Sequence, residues 1–134
     1  MILGDVEFTI FYAWQNDTPA RYNRYLIRDV LENATKNIRN DALIEDSPRL
    51  DYDTRGVSGT PEIAATVFGK IKRCAVFIAD MTFVGSTQPI VAREQEKLLP
   101  NPNVMLELGY AAATIGWVTV HVVKRYLPSW ISSA

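Results

Sequence analysis

The chain has 134 residues, 48% of them hydrophobic, which suffices for one domain with its own core but not comfortably for two. Fourteen basic side chains against fifteen acidic ones give a formal net charge of −1 without a polybasic run, which argues against binding to a DNA or RNA duplex. The apolar runs are much shorter than a membrane span, so we expect a cytoplasmic protein with no membrane partner.

The first half of the chain predicts strand, helix and strand. Val6–Ala13 is rich in aromatic and β-branched residues and predicts a strand. Thr18 can cap a following helix, with Pro19 at its first position, that runs to about Arg39. Arg49–Asp53 predicts a short second strand. The apolar period of the helix predicts a buried face formed by Ile27, Val30, Leu31, Ala34 and Ile38.

The next elements repeat this order. Thr60 and Pro61 give the same cap-then-proline start for a second helix, and Cys74–Ala79 is continuously apolar, as expected for a central strand that ends at Asp80. The segment Met81–Leu99 has no strong period, although its part from residue 91 could form a short charged helix. The buried face of the second helix is expected to consist of Ile63, Ala64, Val67, Phe68 and Ile71.

A third helix is predicted to begin at Asn101 and Pro102 and to end before Gly116, which suits the position past a helix C-terminus. Val118–Val123 predicts a fourth strand. Residues 124–134 give no clear assignment. We therefore expect a single domain over residues 1–134 whose last part is uncertain.

Alternating strands and helices predict an α/β fold with a mainly parallel sheet, and the smallest consistent strand order is 2-1-3-4. In such sheets ligands bind at the carboxyl ends of the strands, near the point where the order reverses. The loops expected there carry the polar residues Gln15, Asn16 and Asp17 after the first strand and Asp80 after the third.

Glu107 is a single carboxylate in the otherwise almost uncharged run from Asn101 to Gly116. At about 100° per residue, it lies about 60° from Val104, at the border of the apolar stripe that should meet the sheet. It is also close to the helix N-terminus, which favours anions. We expect its carboxylate at the mouth of a pocket. The alternatives are a buried acid paired with Arg24 or Arg55, or an acid that faces solvent.

The runs Asn-Pro-Asn-Val-Met-Leu-Glu-Leu-Gly-Tyr-Ala from Asn101, Phe-Tyr-Ala-Trp-Gln-Asn-Asp from Phe11 and Val-Phe-Ile-Ala-Asp from Val76 resemble the TIR-like nucleotide-binding proteins of bacteria and their relatives, the nucleoside deoxyribosyltransferases. The resemblance covers most of the chain from Glu7 to Val123. It implies a flavodoxin-like three-layer sandwich and a catalytic glutamate at Glu107 that acts on the anomeric carbon of an N-glycosidic bond. We expect the fifth strand of that fold to be missing, altered or outside this sequence.

The remaining site residues follow from chemistry. A carboxylate near the anomeric carbon can stabilise or attack an oxocarbenium-like centre, and nicotinamide is a good leaving group in NAD. Trp14 and Tyr12 can stack on a base or a nicotinamide ring, Trp14 being the better candidate, and packing in the core is at least an equal alternative for Tyr12. Ribose hydroxyls can be bound by Asp80, Asn101 or Asn103, and phosphates by Arg21 or Arg24. The other residues expected to bind the nucleotide are Gln15, Asn16, Asp17 and Arg55. NAD or another nucleotide is thus expected as substrate or ligand, with no cofactor and no metal.

Two other functions remain open. The third helix is apolar nearly all round, because Leu106, Tyr110 and Ala113 lie opposite the stripe that meets the sheet, which predicts a homo-oligomer formed through this helix. Glu107 would then bind a ribose hydroxyl without chemistry in a nucleotide-sensing or self-association module. A phospho-receiver with Asp80 as acceptor fits the fold, but an acidic pair after the first strand and a lysine after a fifth are lacking.

Overall fold

A computed structural model describes residues 8–41, 43, 48–52, 61–88, 91 and 95–125. The predicted turn at residues 54–59, the cap at Thr60, the site candidate Arg55 and the tail after residue 125 lie outside the described residues. The described strands are β1 Thr9–Ala13, β2 Arg49–Asp51, β3 Val76–Asp80, β4 Phe83–Ser86, β5 Leu98–Pro100 and β6 Val120–Val123, and the described α-helices are α1 Arg24–Arg39, α2 Pro61–Arg73 and α3 Pro102–Thr114.

The main sheet has four strands in the order β2-β1-β3-β6, and all three neighbouring pairs are parallel. The predicted order 2-1-3-4 is therefore confirmed, with β6 in the fourth place. The chain reverses its direction of progress across the sheet after β2, so the switch point lies between β1 and β3. This is a flavodoxin-like α/β arrangement.

Side chains on successive residues of a strand point to opposite faces of the sheet. In and just after β2, Asp51 forms an ion pair of 3.5 Å with Lys70 on α2, whereas the hydroxyl of Tyr52 donates to Glu32 on α1 at 3.2 Å. Helix α1 therefore covers one face, and α2 covers the other. Helix α3 packs beside α2 and contacts β1, β3 and β6.

The hydrophobic core lies between the sheet and the layer formed by α2 and α3. The rings of Phe11 and Phe77, on neighbouring strands, stack with centroids 5.9 Å apart. The other buried members of this core are Ala13, Val67, Ile71, Cys74, Ala79, Val104, Ala111 and Val120. Because Phe77 and Ala79 face this core, the alternate residue Asp80 points to the face that α1 covers.

The start and the buried face of the first helix differ from the prediction. A short 3₁₀ helix, Ala20–Tyr22, precedes α1, and Pro19 caps it instead of opening the α-helix. Thr18 does not cap either, since the N-cap position of α1 is Asn23, and the Thr18 hydroxyl accepts a hydrogen bond from Gln15. The residues that α1 buries are Ile27 and Thr35, while Val30 is 59% and Ile38 37% exposed and Ala34 is exposed as well.

Polar Thr35 explains this shift, since its hydroxyl donates to the carbonyl of Leu31 at 2.6 Å and thereby satisfies itself within the helix. A pattern of apolar letters does not contain that bond. The second helix shows a smaller difference: Val67 and Ile71 are buried as predicted, but Ala64 is exposed.

Between β3 and α3, the described strands β4 and β5 pair antiparallel, and residues 95–97 are not helical, although a short charged helix was expected there. The ends of α3 agree with the prediction: Asn101 is its N-cap, Pro102 its first residue, and Gly116 follows its C-terminus with φ 83°. Tyr110 was expected on an outward face, but its ring stacks on Phe68 of α2 at 4.5 Å. None of the helices within the described residues has the length and apolar content needed to cross a membrane.

Candidate active site

Asp80 is the centre of a buried polar cluster at the carboxyl edge of the sheet. It is the last residue of β3, and its side chain is 0% exposed. Its Oδ1 accepts the backbone N–H of Thr82 at 3.0 Å, and its Oδ2 accepts hydrogen bonds from Asn23 at 2.5 Å and Gln15 at 3.5 Å. Asp80 thus fixes the surrounding loops, and its contact with a ribose hydroxyl stays a prediction.

Gln15 shapes the loop between β1 and the 3₁₀ helix. It is 2% exposed, its Oε1 accepts the backbone N–H groups of Asp17 at 2.6 Å and Thr18 at 3.2 Å, and its Nε2 donates to the hydroxyl of Thr18 at 2.8 Å. A single side chain therefore satisfies the turn and also reaches Asp80. Its part in ligand binding is untested, but its effect on the shape of this loop is direct.

Asn101 joins the same loop to α3. Its Oδ1 accepts the backbone N–H groups of Asn103 and Val104 at 2.8 and 3.2 Å, which is an N-cap, and its Nδ2 donates to Oδ2 of Asp17 at 2.6 Å. Capping of the helix was the alternative expected for Asn101. In the structure it caps α3 and also holds the first loop against the start of that helix.

Asn23 was not predicted, although it is 0% exposed and lies next to Asp80. Its Oδ1 accepts from the hydroxyl of Thr82 at 3.4 Å, and that hydroxyl also accepts the backbone N–H of Arg125 at 2.9 Å. The network therefore links the start of α1, the end of β3 and the segment after β6. A polar Asn directly before a helix was a signal that could have drawn attention to it.

Trp14 and Arg24 form a stacked pair at the edge of the site. The guanidinium carbon of Arg24 lies 3.5 Å from the centroid of the Trp14 ring and 5.4 Å from that of Tyr25. Trp14 is half-buried, directly after β1. The prediction that Trp14 offers its ring to a base must therefore account for the guanidinium that already covers one ring face.

Glu107 is 2% exposed, so its carboxylate lies deeper than the pocket mouth where it was expected. It is about 60° from Val104 and about 60° from Tyr110 around the axis of α3, at about 100° per residue. Val104 packs in the core against the sheet, and Tyr110 stacks on Phe68 of α2. Glu107 therefore faces the junction of the sheet, α2 and α3.

The sheet is lined by small side chains below this junction. Ala13 and Ala79 are register partners on β1 and β3, both are buried, and both face the layer of α2 and α3. They stand near the carboxyl ends of their strands, where the loops of the site begin. The methyl side chains of Ala13 and Ala79 are smaller than the phenyl rings of Phe11 and Phe77 that precede them on the same face.

The other predicted residues are not drawn into the cluster. Asn16 and Asn103 are exposed, and Asn103 contributes a backbone N–H to the cap of α3. Arg21 is also exposed and donates to the hydroxyl of Tyr22. These residues lie at the rim of the same edge, where their contact with a ligand stays a prediction.

Tyr12 lies on the α1 side of β1 and is 1% exposed. In the part of the chain that the structure describes, its hydroxyl has no hydrogen-bond partner. Burial raises the pKa of the Tyr12 hydroxyl well above its usual range, the nearby Asp80 carboxylate adds to this, and the positive charges of Arg24 and Arg28 oppose it. Of the two roles open for Tyr12, the structure shows packing in the interior, and among the described residues its hydroxyl has no acceptor.

A second concave region lies away from these residues, between the C-terminal half of α1 and β2. It has a volume of about 590 Å³, and its lining includes Lys36, Arg39, Leu50 and Tyr52. None of the residues predicted for the site contributes to it. The region is therefore a separate groove where the C-terminal half of α1 meets β2.

The fold is similar to that of a solved enzyme structure. No model of a known protein family matches the chain, and no curated protein matches it. The chain is similar to the 2-desoxiribosyltransferase from Leishmania mexicana with a TM-score of 0.45 and 19% sequence identity, over 87% of this chain. It spans 63% of the length of that enzyme. The resemblance to TIR-like proteins stays a prediction.

Proposed function

We propose that this domain binds NAD or a related nucleotide and cleaves its N-glycosidic bond with the help of Glu107. The observation that carries the proposal is the burial of this carboxylate, 2% exposed, on the inner side of α3. Burying an acid is expensive, so a domain that needed only apolar packing at this position would be served better by leucine or methionine. A functional role gives a reason for the cost.

The surroundings of Glu107 support this assignment. Glu107 lies in the N-terminal half of α3, and its side chain faces the junction of the sheet with α2 and α3. Ala13 and Ala79 give this face of the sheet small side chains at the carboxyl ends of β1 and β3. A ribose ring that enters from the carboxyl edge would contact the Glu107 carboxylate and the methyl groups of Ala13 and Ala79. Such an apolar surface excludes water and thereby strengthens the interaction between opposite charges.

The chemistry asks little else of the protein. Breaking the bond between C1′ of a ribose and a base nitrogen leaves positive charge on the sugar, which a carboxylate stabilises or captures as a covalent intermediate that water later hydrolyses. When the base is the nicotinamide of NAD, it departs as a neutral molecule and needs no proton. Glu107 alone can therefore supply the main catalytic group.

The loop after β1 provides the second wall of the proposed site. Gln15 fixes its backbone, and the bond from Asn101 to Asp17 holds it against the start of α3. A wall fixed from both sides can position a substrate without first having to order itself. The sequence resemblance through the runs at Phe11, Val76 and Asn101 supports the same ligand class.

The test is release of base from NAD, from nicotinamide mononucleotide and from a set of purine and pyrimidine nucleosides, at several protein concentrations. We expect the wild type to release base and Glu107→Gln to lose at least about a hundredfold in rate, because the charge that stabilises the transition state is removed. Glu32→Gln is the matched control, since Glu32 lies exposed on α1 and its substitution should leave the rate unchanged. Equal release by both proteins at every concentration would contradict the proposal.

A second function is favoured by a specific observation. Leu106 is 62% and Met105 49% exposed on the outer side of α3, and Trp117 and Val118 after it are 68% and 92% exposed. Such a group of apolar side chains is more typical of a contact surface than of a solvated helix. The alternative is a nucleotide-sensing module that self-associates through α3. Light scattering with and without NAD, on wild type and Leu106→Glu, measures assembly, and the base-release assay measures cleavage. A sensor would assemble on NAD without releasing nicotinamide.

A further inference from the structure

The stacked pair of Trp14 and Arg24 presents a fixed positive charge. Stacking on the indole uses the flat face of the guanidinium, at 3.5 Å from its carbon to the ring centroid, and leaves the N–H groups around its edge directed away from the ring. Tyr25 lies further along the same cation at 5.4 Å. A long flexible side chain is thereby held in one orientation, which lowers the entropy lost when it binds a ligand.

Arg24 differs from the neighbouring arginines in its side-chain partners. Arg28, one turn later, donates two hydrogen bonds to Asp29 at 3.1 and 2.9 Å, and Arg21 donates to the hydroxyl of Tyr22. Among the described residues, Arg24 has its ring contacts but no carboxylate within ion-pair distance. It is therefore the arginine of this group that is available to an anion.

Tyr12 provides a second donor in the same region. Its hydroxyl is sealed from solvent on the α1 side of β1 and finds no acceptor among the residues that the structure describes. Tyr12 is two positions before Trp14 in the chain, and alternate residues of a strand share a face, so its hydroxyl lies on the side of the sheet where Trp14 holds Arg24. The positive charges of Arg24 and Arg28 both act on this hydroxyl. An anionic oxygen placed beneath Arg24 would supply the acceptor that Tyr12 lacks.

Arg24 and Glu107 are separated by the sheet. Tyr12 and Asp80 show that the α1 side of the carboxyl edge holds the polar cluster, whereas Glu107 is on the side of α2 and α3. A ligand that touches both must cross the edge between β1 and β3. Nucleotides have this shape, since a 5′-phosphate or pyrophosphate extends away from the anomeric carbon.

We propose that Arg24, held by Trp14, binds the phosphate of the substrate, with Tyr12 donating to the same group, so that the site selects nucleotides over unphosphorylated nucleosides. This inference rests on the proposed function. It assigns the two ends of the ligand to opposite faces of the sheet, with the scissile bond at Glu107 and the phosphate at Arg24. It also gives Trp14 the task of orienting a cation instead of stacking on a base.

The test measures binding by calorimetry in the Glu107→Gln background, where turnover does not interfere. The ligand series is nicotinamide riboside, nicotinamide mononucleotide and NAD, which carry zero, one and two phosphates. We expect Arg24→Gln to weaken mononucleotide and NAD on the order of tenfold, the usual effect of losing a hydrogen bond between charged groups, and to leave the riboside within about twofold. Trp14→Leu should weaken the same two ligands, and Tyr12→Phe should weaken them without lowering the stability of the free protein.

Arg28→Gln is the matched control, because it removes the same charge one turn further along α1 from a side chain already bonded to Asp29. The phosphate role is overturned if Arg28→Gln weakens NAD as much as Arg24→Gln does, if the riboside binds as tightly as NAD, or if neither ligand binds. Failure of the wild type to release nicotinamide overturns the proposed catalysis alone, since the binding comparison is made without turnover.

Discussion

Asn23 donates a hydrogen bond of 2.5 Å from its Nδ2 to Oδ2 of Asp80, a residue 57 positions further along the chain. Both side chains are 0% exposed. The bond joins the start of α1 to the end of β3 and so holds together the two elements that flank the switch point of the sheet. Because neither side chain is exposed to bulk solvent, loss of one partner leaves the other with an unsatisfied polar group.

We therefore expect Asn23→Ala to lower the free energy of unfolding by about 1–3 kcal/mol, because it leaves a buried carboxylate oxygen of Asp80 without its strongest donor. Asn33→Ala on the exposed side of α1 is the control and should be neutral or slightly stabilising. Urea denaturation measures both. Equal small effects would show that the bond contributes little.

Asn101 combines two functions that substitution can separate. Asn101→Ala removes both the cap of α3 and the bond to Asp17, and we expect a loss of about 1–2 kcal/mol. Asn101→Asp keeps the capping oxygen but loses the donor and faces the carboxylate of Asp17. Its loss should be smaller and should largely disappear in the double variant with Asp17→Asn. If Asp and Ala at this position cost the same in urea denaturation, the cap is not what stabilises the helix start.

Two glycines of α3 and its end should respond in opposite directions to the same substitution. An added Cβ would meet nothing within 4 Å at either Gly109 or Gly116, so only backbone preference decides. Gly109 is inside the helix, and Gly109→Ala should stabilise the protein by about 0.5–1 kcal/mol. Gly116 has φ 83°, and Gly116→Ala should cost about 1–2 kcal/mol. Thermal unfolding measures both, and a shift in the same direction for the two variants would contradict this argument.

Cys74 should be unreactive in the folded protein. Burial raises the pKa of its thiol from 9.0 to about 11, and the thiol donates to the carbonyl of Ile71 at 3.0 Å. The folded state therefore binds the proton more tightly than the unfolded state. The stability gained from this is complete below about pH 9 and is lost as the pH rises towards 11.

The rate of alkylation by iodoacetamide, measured against pH in the folded protein, should thus rise around pH 11 and not around 9. The control is the same measurement in urea, where the ordinary thiol value applies. The fall in unfolding free energy just above pH 9 should be absent in Cys74→Ala. Rapid alkylation of the native protein at pH 8 would contradict the burial of this thiol.

The sequence was a good guide to topology because the parallel strands have clear signals. Continuous apolar runs fixed β1 and β3, and Asn101 with Pro102 marked the start of α3. The order of the strands followed from connection rules. The position of Glu107 at the border of the stripe that meets the sheet followed from helical geometry, but its burial did not, because burial depends on how closely α2 approaches α3.

What the sequence missed depends on tertiary partners. Asn23 is one polar residue among many before a helix, and its importance comes from Asp80, which is distant in the chain. Thr35 looks polar, yet its own helix satisfies it, so the buried face of α1 was placed wrongly. The strands β4 and β5 have four and three residues, too short for a period of two to stand out from loop composition.

The stack of Trp14 and Arg24 also gives the protein an intrinsic tryptophan fluorescence signal at the site. Indole emission depends on what lies against the ring, and here the contact is a cation 3.5 Å from the ring centroid. Trp117 follows the far end of α3 and is 68% exposed, so its signal comes from a solvent-exposed site at the opposite edge of the sheet. Any anion that pulls the guanidinium away from Trp14 would change the fluorescence of that ring, so occupancy of the site can be followed in solution without a label.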